Sequence, residues 1–233
     1  MRRPLANLAG RPAGEMDLVG GRFFLDFVNT VGAREYSTTK QTTVRDDKLN
    51  DYSDLLAWGQ HVKLLPEAEA RTLAREASRR PQEASAVFRR AIQLREAIYR
   101  ICRAILAKEQ PEQPCLDVIN EELRVARGVE RLVSGKAVFS LKWDAPISAL
   151  DRVLWFVTQS AVEWLTMGDL SRLRECRGGD CGWIFEDLSR NRSRRWCDMN
   201  DCGNLAKIRR FRLRQQRTQR SRRRNTSSSL SVS

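Results

Sequence analysis

The chain has 233 residues, of which 41% are hydrophobic and six are tryptophan, a composition typical of one or two globular domains. Its formal net charge of +13 is concentrated at one end: residues 171–233 carry 17 Lys and Arg against 6 acids, whereas residues 1–170 carry 25 against 23. This asymmetry predicts that the C-terminal quarter binds a polyanion.

Neither a secretory signal nor a membrane span is evident in the sequence. The N-terminus is basic, but no continuous apolar segment precedes Glu15. The most apolar run, residues 153–167, is too short to cross a bilayer and contains Gln159 and Glu163. We therefore expect a soluble cytoplasmic protein without membrane contact, in which cysteines stay reduced.

The first predicted domain spans residues 16–168, after a flexible lead-in at residues 1–15 that is rich in Arg, Pro, Gly and Ala. Residues 23–31 predict a helix on which Asp26 and Asn29, three positions apart, share one face. Two interpretations are open for this pair. The side chains bond neighbouring backbone within a core helix, or they line a pocket for a small-molecule effector.

The segment that follows, residues 33–48, is rich in Thr and charged residues and is predicted to form a loop. Four helices should come next, because capping or proline signals precede segments whose apolar residues recur at threes and fours. Their predicted ranges are 54–65, with Ser53 as the N-cap, 66–80, 81–110 and 116–127. The only histidine, His61, has no ligand pattern around it and is assigned a structural role.

The periodicity changes at Gly128. Residues 129–133 and 137–143 predict two strands joined by a glycine turn, and Pro146 introduces a strongly apolar helix that ends near Gly168. The first domain is therefore predicted to be mainly α, multi-helical with a small β-hairpin, within an α+β fold. Cys102 lies in the apolar pattern of a helix and is expected to be buried, and neither Cys102 nor Cys115 is expected to have a function.

The C-terminal segment contains two cysteine pairs with the same spacing, Cys176 with Cys181 and Cys197 with Cys202. Four thiolates on short loops suit one tetrahedral Zn²⁺ and leave no open coordination position, so the predicted ion is structural rather than catalytic. Two disulfides and a redox role are the alternatives, and a reducing compartment disfavours the disulfides.

The cysteine pairs belong to a second predicted domain, residues 169–216. Apolar residues on both sides of the first pair predict two short strands, hence a zinc-ribbon-like hairpin. Residues 205–216 predict a basic helix, whereas residues 217–233 are dominated by Arg, Ser and Thr and are predicted to be disordered.

These motifs resemble a known pair of families. The sequence from Cys181 through Cys197 to Asn204 resembles the CGNR-type zinc finger of bacterial proteins, and Leu25-Asp26-Phe27-Val28-Asn29-Thr30 resembles the opening motif of the ABATE domain that usually precedes it. The resemblance covers nearly the whole chain. It implies a stress-induced bacterial transcription regulator, with the four cysteines as zinc ligands and a finger that binds DNA. The arginine that ends the CGNR motif is Leu205 here, which removes one positive charge.

Charge and resemblance together predict a zinc-dependent regulator that binds duplex DNA, and not an enzyme. The predicted nucleic-acid-binding residues flank the second cysteine pair: Arg190, Arg192, Arg194, Arg195, Asn204, Lys207, Arg209, Arg210 and Arg212. Asn204 contacts a base edge or caps the helix, and capping is favoured. RNA binding, or a zinc-shaped surface for a protein partner, are the alternatives.

The first domain is predicted to bind an effector, to form a homodimer, or both. We also expect loss of zinc to unfold the finger while residues 17–167 stay folded, because structural zinc binding is coupled to local folding.

Overall fold

A computed structural model describes residues 11–36, 42–136, 138–179 and 181–228. The helices are α1 (Phe23–Val28), α2 (Tyr52–His61), α3 (Glu67–Arg79), α4 (Pro81–Ala107), α5 (Gln113–Gly128), α6 (Arg152–Met167) and α7 (Asn204–Ser228). The strands are β1 (Val31–Tyr36), β2 (Thr42–Asp47), β3 (Glu130–Ser134), β4 (Phe139–Trp143), β5 (Leu173–Glu175) and β6 (Ile184–Glu186). Consecutive strands pair as three antiparallel hairpins, so the α+β, mainly helical fold predicted from the sequence is confirmed.

The core forms around α4, whose apolar residues recur at threes and fours and are buried along most of the helix. Helices α1, α2, α3 and α5 pack against it, and α6 covers α1 and α5. The rings of Phe27 on α1 and Trp58 on α2 lie 5.1 Å apart between centroids, both fully buried. Cys102 is buried in this core as predicted, and Cys115 is buried there as well; both are free thiols.

The prediction of a loop at residues 33–48 is wrong, because β1 and β2 form a hairpin there. Two of the charged residues in this segment, Arg34 and Asp47, are partners of α4. Arg95 on α4 is 1% exposed and forms two hydrogen bonds of 2.7 Å with the carboxylate of Asp47. Arg34 stacks over the ring of Tyr99 at 3.9 Å. Charged residues that pair across the fold cannot be distinguished from solvated ones by composition alone.

Several helix boundaries differ from the prediction. The N-cap of α2 is Asp51, whose carboxylate accepts from the backbone N–H groups of Ser53 and Asp54, and not Ser53. Helix α5 begins at Gln113, a turn earlier than expected. Helix α6 begins at Arg152 rather than after Pro146, because the preceding residues form turns that bury Leu150.

Both ends of the chain also depart from the expectation. Within the predicted lead-in, Ala13–Glu15 form a short 3₁₀ turn, and Ala13 is fully buried because this turn packs on α2. Residues 1–10 lie outside the described part. The predicted disordered tail is helical as far as Ser228, since α7 contains no Gly or Pro and is rich in Arg and Gln. Residues 229–233 lie outside the described part as well.

The β3–β4 hairpin forms as predicted. Trp143 packs on Trp155 and Phe156 of α6, with ring centroids 5.5 and 4.5 Å away. Phe139 and Leu141, on the same face, are mostly exposed, so only the base of the hairpin joins the core. Among the described residues, no helix is both long and apolar enough to cross a membrane.

Candidate metal centre and its contact with the helical domain

The four sulfurs of Cys176, Cys181, Cys197 and Cys202 converge on one point. All four side chains are buried, and their sulfurs lie within 4.8 Å of one another. Cys197 Sγ is 3.7 Å from Cys181 Sγ and 3.5 Å from Cys202 Sγ. A tetrahedral Zn²⁺ with bonds of about 2.3 Å requires sulfur separations of about 3.8 Å. The thiols are free, and the group fits one structural zinc ion rather than two disulfides.

Local backbone geometry holds the first cysteine pair in place. Strands β5 and β6 pair on either side of it, and Cys176 N donates to Trp183 O at 2.8 Å. Between the two cysteines, a Cβ at Gly178 would lie 2.9 Å from Cys202 Sγ, so only glycine fits there. Gly182, directly after the pair, has a φ of +69°, which also favours glycine.

The second pair is held by a single π-helical turn, Met199–Gly203, which leads directly into α7. The Asp198 carboxylate accepts from the backbone N–H groups of Asn200 and Asp201 and so caps this turn. Asn204 adopts helical φ and ψ of −65° and −45° and is exposed, so it continues the π turn directly into α7 instead of forming an N-cap, and the predicted capping by Asn204 is wrong.

Hydrogen bonds favour the thiolate form of Cys176. The neighbouring thiols, Cys181 first, lower the pKa of Cys176, and Cys197 N also donates to its sulfur at 3.3 Å. Gly178 N donates to the same sulfur at 3.4 Å. Since zinc binds thiolates, this polar shell is suited to the metal-bound state.

Asn29 forms a pair of hydrogen bonds with the backbone of the finger. Its Nδ2 donates to Ile184 O at 2.8 Å, and Ile184 N donates to its Oδ1 at 2.9 Å. The side chain is 1% exposed. The amide therefore satisfies the outer edge of β6, and Asn29 is not among the residues that line the cavity at Asp26 described below.

Further contacts join β6 to the helical domain. Trp183 Nε1 donates to Val31 O at 2.7 Å, and Ile184 and Phe185 are fully buried. Glu186 N donates to Gly20 O at 2.9 Å. The Glu186 carboxylate accepts from Trp164 Nε1 at 3.1 Å and from Arg22 Nε at 2.6 Å.

The finger and the helical domain thus share one hydrophobic core, which includes the four cysteines. The expectation that residues 17–167 stay folded without zinc does not fit this packing. In the sequence, the apolar triplet Trp183-Ile184-Phe185 indicates this shared core, because a small finger on its own has little interior in which to bury three large apolar side chains.

Asp26 is also buried, but it faces a different place from Asn29. Its Oδ1 accepts from Gly20 N at 2.8 Å, and burial raises the pKa of the carboxyl to about 6. The residue lines a cavity of about 450 Å³ between α1 and α6. Sequence reasoning missed the α6 wall of this cavity, although Gln159, Ser160 and Glu163 stand out as polar residues in an otherwise apolar helix.

Two of the predicted nucleic-acid-binding arginines are bound within the protein. Arg194 donates from Nη2 to Val19 O at 2.9 Å and to Cys197 O, and its guanidinium stacks over Phe185 at 4.1 Å. It connects the loop before Cys197 to the helical domain, so its guanidinium already has partners within the protein. Arg192 is half-exposed and pairs with Asp169 at 3.0 Å.

The remaining predicted cations are exposed and lie in the loop before Cys197 or on α7: Arg190, Arg195, Lys207, Arg209, Arg210 and Arg212. Arg209 lies against the loop between Cys176 and Cys181, here called the first knuckle. A Cβ on Gly179 in this loop would lie 2.7 Å from Arg209 Nη1. Leu205 is half-buried in a cleft between this knuckle and α7. Arg209 and Arg210 line the same cleft, so Leu205 lies at the base of the helix beside these two cations.

A closed four-thiolate site on a β-hairpin, followed by a basic helix, defines a structural zinc finger, here joined to a helical domain. Residues 172–215 match the CGNR zinc finger model. Residues 21–168 match the ABATE model, described as "Putative stress-induced transcription regulator", and the chain belongs to this family. Both families are of regulator and zinc-finger type rather than enzymatic. No curated protein matches the chain.

Proposed function

We propose that the protein is a zinc-stabilised transcription regulator that binds duplex DNA through α7 and the loop before Cys197. The observation that carries the proposal is the charge of α7, which has ten Lys and Arg and no Asp or Glu in 25 residues. The described side chains of this helix beyond Ala206 are exposed. At 1.5 Å per residue the helix is about 37 Å long, comparable to one duplex turn of about 34 Å.

Zinc would fix the direction of this basic helix. Cys202 lies in the turn that becomes α7, so the metal orients the first residues of the helix. Lys207, Arg210 and Arg214 follow at i, i+3 and i+7 and share one face. Since the Asp198 carboxylate already caps the turn, the side chains rather than the helix terminus supply the attraction for phosphate.

The test is the salt dependence of binding to random-sequence duplex DNA by the zinc-loaded full chain. Neutralising about six to eight phosphates gives a log–log slope near minus five to minus seven. Replacing Lys207, Arg210 and Arg214 by Gln should reduce that slope by about 3. The matched control removes three exposed arginines from α3: Arg71, Arg75 and Arg79. A salt-independent interaction, or equal slopes for the two triple variants, would refute DNA binding by α7.

Selection from a random duplex library extends the test to specificity. An enriched inverted repeat indicates a homodimer formed through the N-terminal domain. Preference for RNA in competition favours the RNA-binding alternative, and binding that survives high salt favours a protein partner. The cavity at Asp26 supports effector binding as the role of the N-terminal domain.

A further inference from the structure

The cavity between α1 and α6 combines aromatic walls with acidic groups. Its lining residues are Gly21, Arg22, Phe23, Asp26, Phe156, Gln159, Ser160 and Glu163. The volume of about 450 Å³ is large enough for a small organic molecule. Asp26 lies at its buried end, whereas Phe23, Gln159 and Glu163 are exposed at its mouth.

The charges around the cavity are mainly negative. Arg22 is the one cation among the lining residues, and its Nε is held at 2.6 Å by Glu186, which lies behind the wall. Around the cavity there are thus three carboxyl groups, those of Asp26, Glu163 and Glu186, and one guanidinium, that of Arg22. The other basic side chains near Asp26 also form hydrogen bonds with backbone carbonyls: Arg194 donates to Val19 O at 2.9 Å, and His61 Nε2 lies 2.7 Å from Met16 O.

Asp26 is the unusual member of this group. It is 6% exposed and forms no ion pair within the described residues. Burial destabilises the ionised carboxylate more than the backbone hydrogen bonds and the charge of Arg194 stabilise it, which agrees with the raised pKa of Asp26. A protein that retains such a group beside a cavity has a site ready to accept a positive charge.

We propose that this cavity binds a small organic cation with an apolar body, such as a primary amine on an aromatic or branched aliphatic group. The ammonium pairs with Asp26 and Glu163, and its remaining N–H groups donate to Gln159 and Ser160. Phe23 and Phe156 hold the apolar body and add cation–π attraction. An anion would face the carboxylates, and a neutral molecule would leave Asp26 without its countercharge.

The position of the cavity connects such a ligand to the finger. Arg22, which lines the cavity, and Gly20, which donates to Asp26, both bind Glu186 on β6. On α6, Trp164 follows Glu163 directly and binds the same carboxylate. A bound cation therefore stabilises the contact between α1, α6 and β6. This inference names the ligand class for the effector role proposed above, but its test contains no DNA, so each can fail alone.

The experiment compares 2-phenylethylamine with 2-phenylethanol by calorimetric titration of the zinc-loaded full chain at pH 8. The amine should bind at least about tenfold more tightly than the alcohol, the gain expected from one charge-assisted hydrogen bond. Asp26→Asn should remove that preference, and Glu163→Gln should reduce it. Glu109→Gln, an exposed carboxylate outside the cavity, serves as the matched control.

Zinc content and circular dichroism verify that each variant is folded. Glu163 is exposed at the cavity mouth, so Glu163→Gln tests the site even if Asp26→Asn perturbs the core. Absence of amine binding, equal affinity for amine and alcohol, or an unchanged preference in Glu163→Gln and Asp26→Asn would overturn the proposal.

Discussion

Asn29→Ala tests whether the zinc finger and the helical domain form one folding unit. The substitution leaves Ile184 N and Ile184 O, both buried at the contact, without their partners at 2.9 and 2.8 Å. Each unsatisfied buried group costs about 1–3 kcal/mol, so the free energy of unfolding should fall by about 4 kcal/mol. That loss is a large fraction of the stability of a typical domain.

Urea unfolding of the zinc-loaded chain measures this loss, with tryptophan fluorescence and zinc release to a coloured chelator recorded together. Trp183 reports on the contact, and Trp58 lies deep in the helical core. We expect one transition, with zinc released in it, at a lower urea concentration in Asn29→Ala. Asn50→Ala is the matched control, because Asn50 is exposed and donates only to Asp54 at 2.9 Å.

Two outcomes would contradict a shared core. In the first, Asn29→Ala changes stability no more than Asn50→Ala does, which means that the paired hydrogen bonds contribute little. In the second, zinc is released at a lower urea concentration in Asn29→Ala while the midpoint of the tryptophan fluorescence transition does not change. That result would mean that the finger unfolds alone.

Three further predictions follow from single contacts. Cys197→Ser should abolish zinc binding and lower the thermal midpoint of the whole chain; an unchanged helical transition by circular dichroism would contradict this. Asp26→Asn should stabilise the fold by about 3 kcal/mol at pH 8, because the folded pKa of about 6 exceeds the ordinary 3.8. The protonated Asp26 carboxyl contributes its full stability below pH 4, and this contribution is lost as the pH rises through 6. Urea unfolding should therefore show Asp26→Asn to be more stable than the original chain at pH 8 but not below pH 4. Gly178→Ala should weaken zinc in chelator competition, since its Cβ would lie 2.9 Å from Cys202 Sγ, whereas Gly128→Ala meets nothing within 4 Å and should leave the affinity unchanged.

The parts of the structure that the sequence predicted well depend on short spacings. The cysteine pairs, the apolar stripe of α4 and the β3–β4 hairpin each have a pattern that repeats within a few residues. The parts that it missed depend on partners far along the chain. Asn29 and Ile184 are 155 residues apart, and Arg95 and Asp47 are 48 apart. The identity of an Asn or Asp residue does not show whether its side chain bonds to water or to a partner within the fold, so composition could not identify these contacts.

Asp26 and Asn29 explain how one short helix serves two sites. Asp26 lies within α1 and Asn29 caps its C-terminal end, so the same short, mostly buried helix positions both side chains. Asn29 holds β6, whose preceding turn contains Cys181, and the metal connects that turn to α7. A ligand can shift a regulator only through a difference in affinity between two states. A cation at Asp26 removes the cost of a buried charge only while α1 stays packed in the core. Ligand binding and an ordered, zinc-bound α7 should therefore favour the same state.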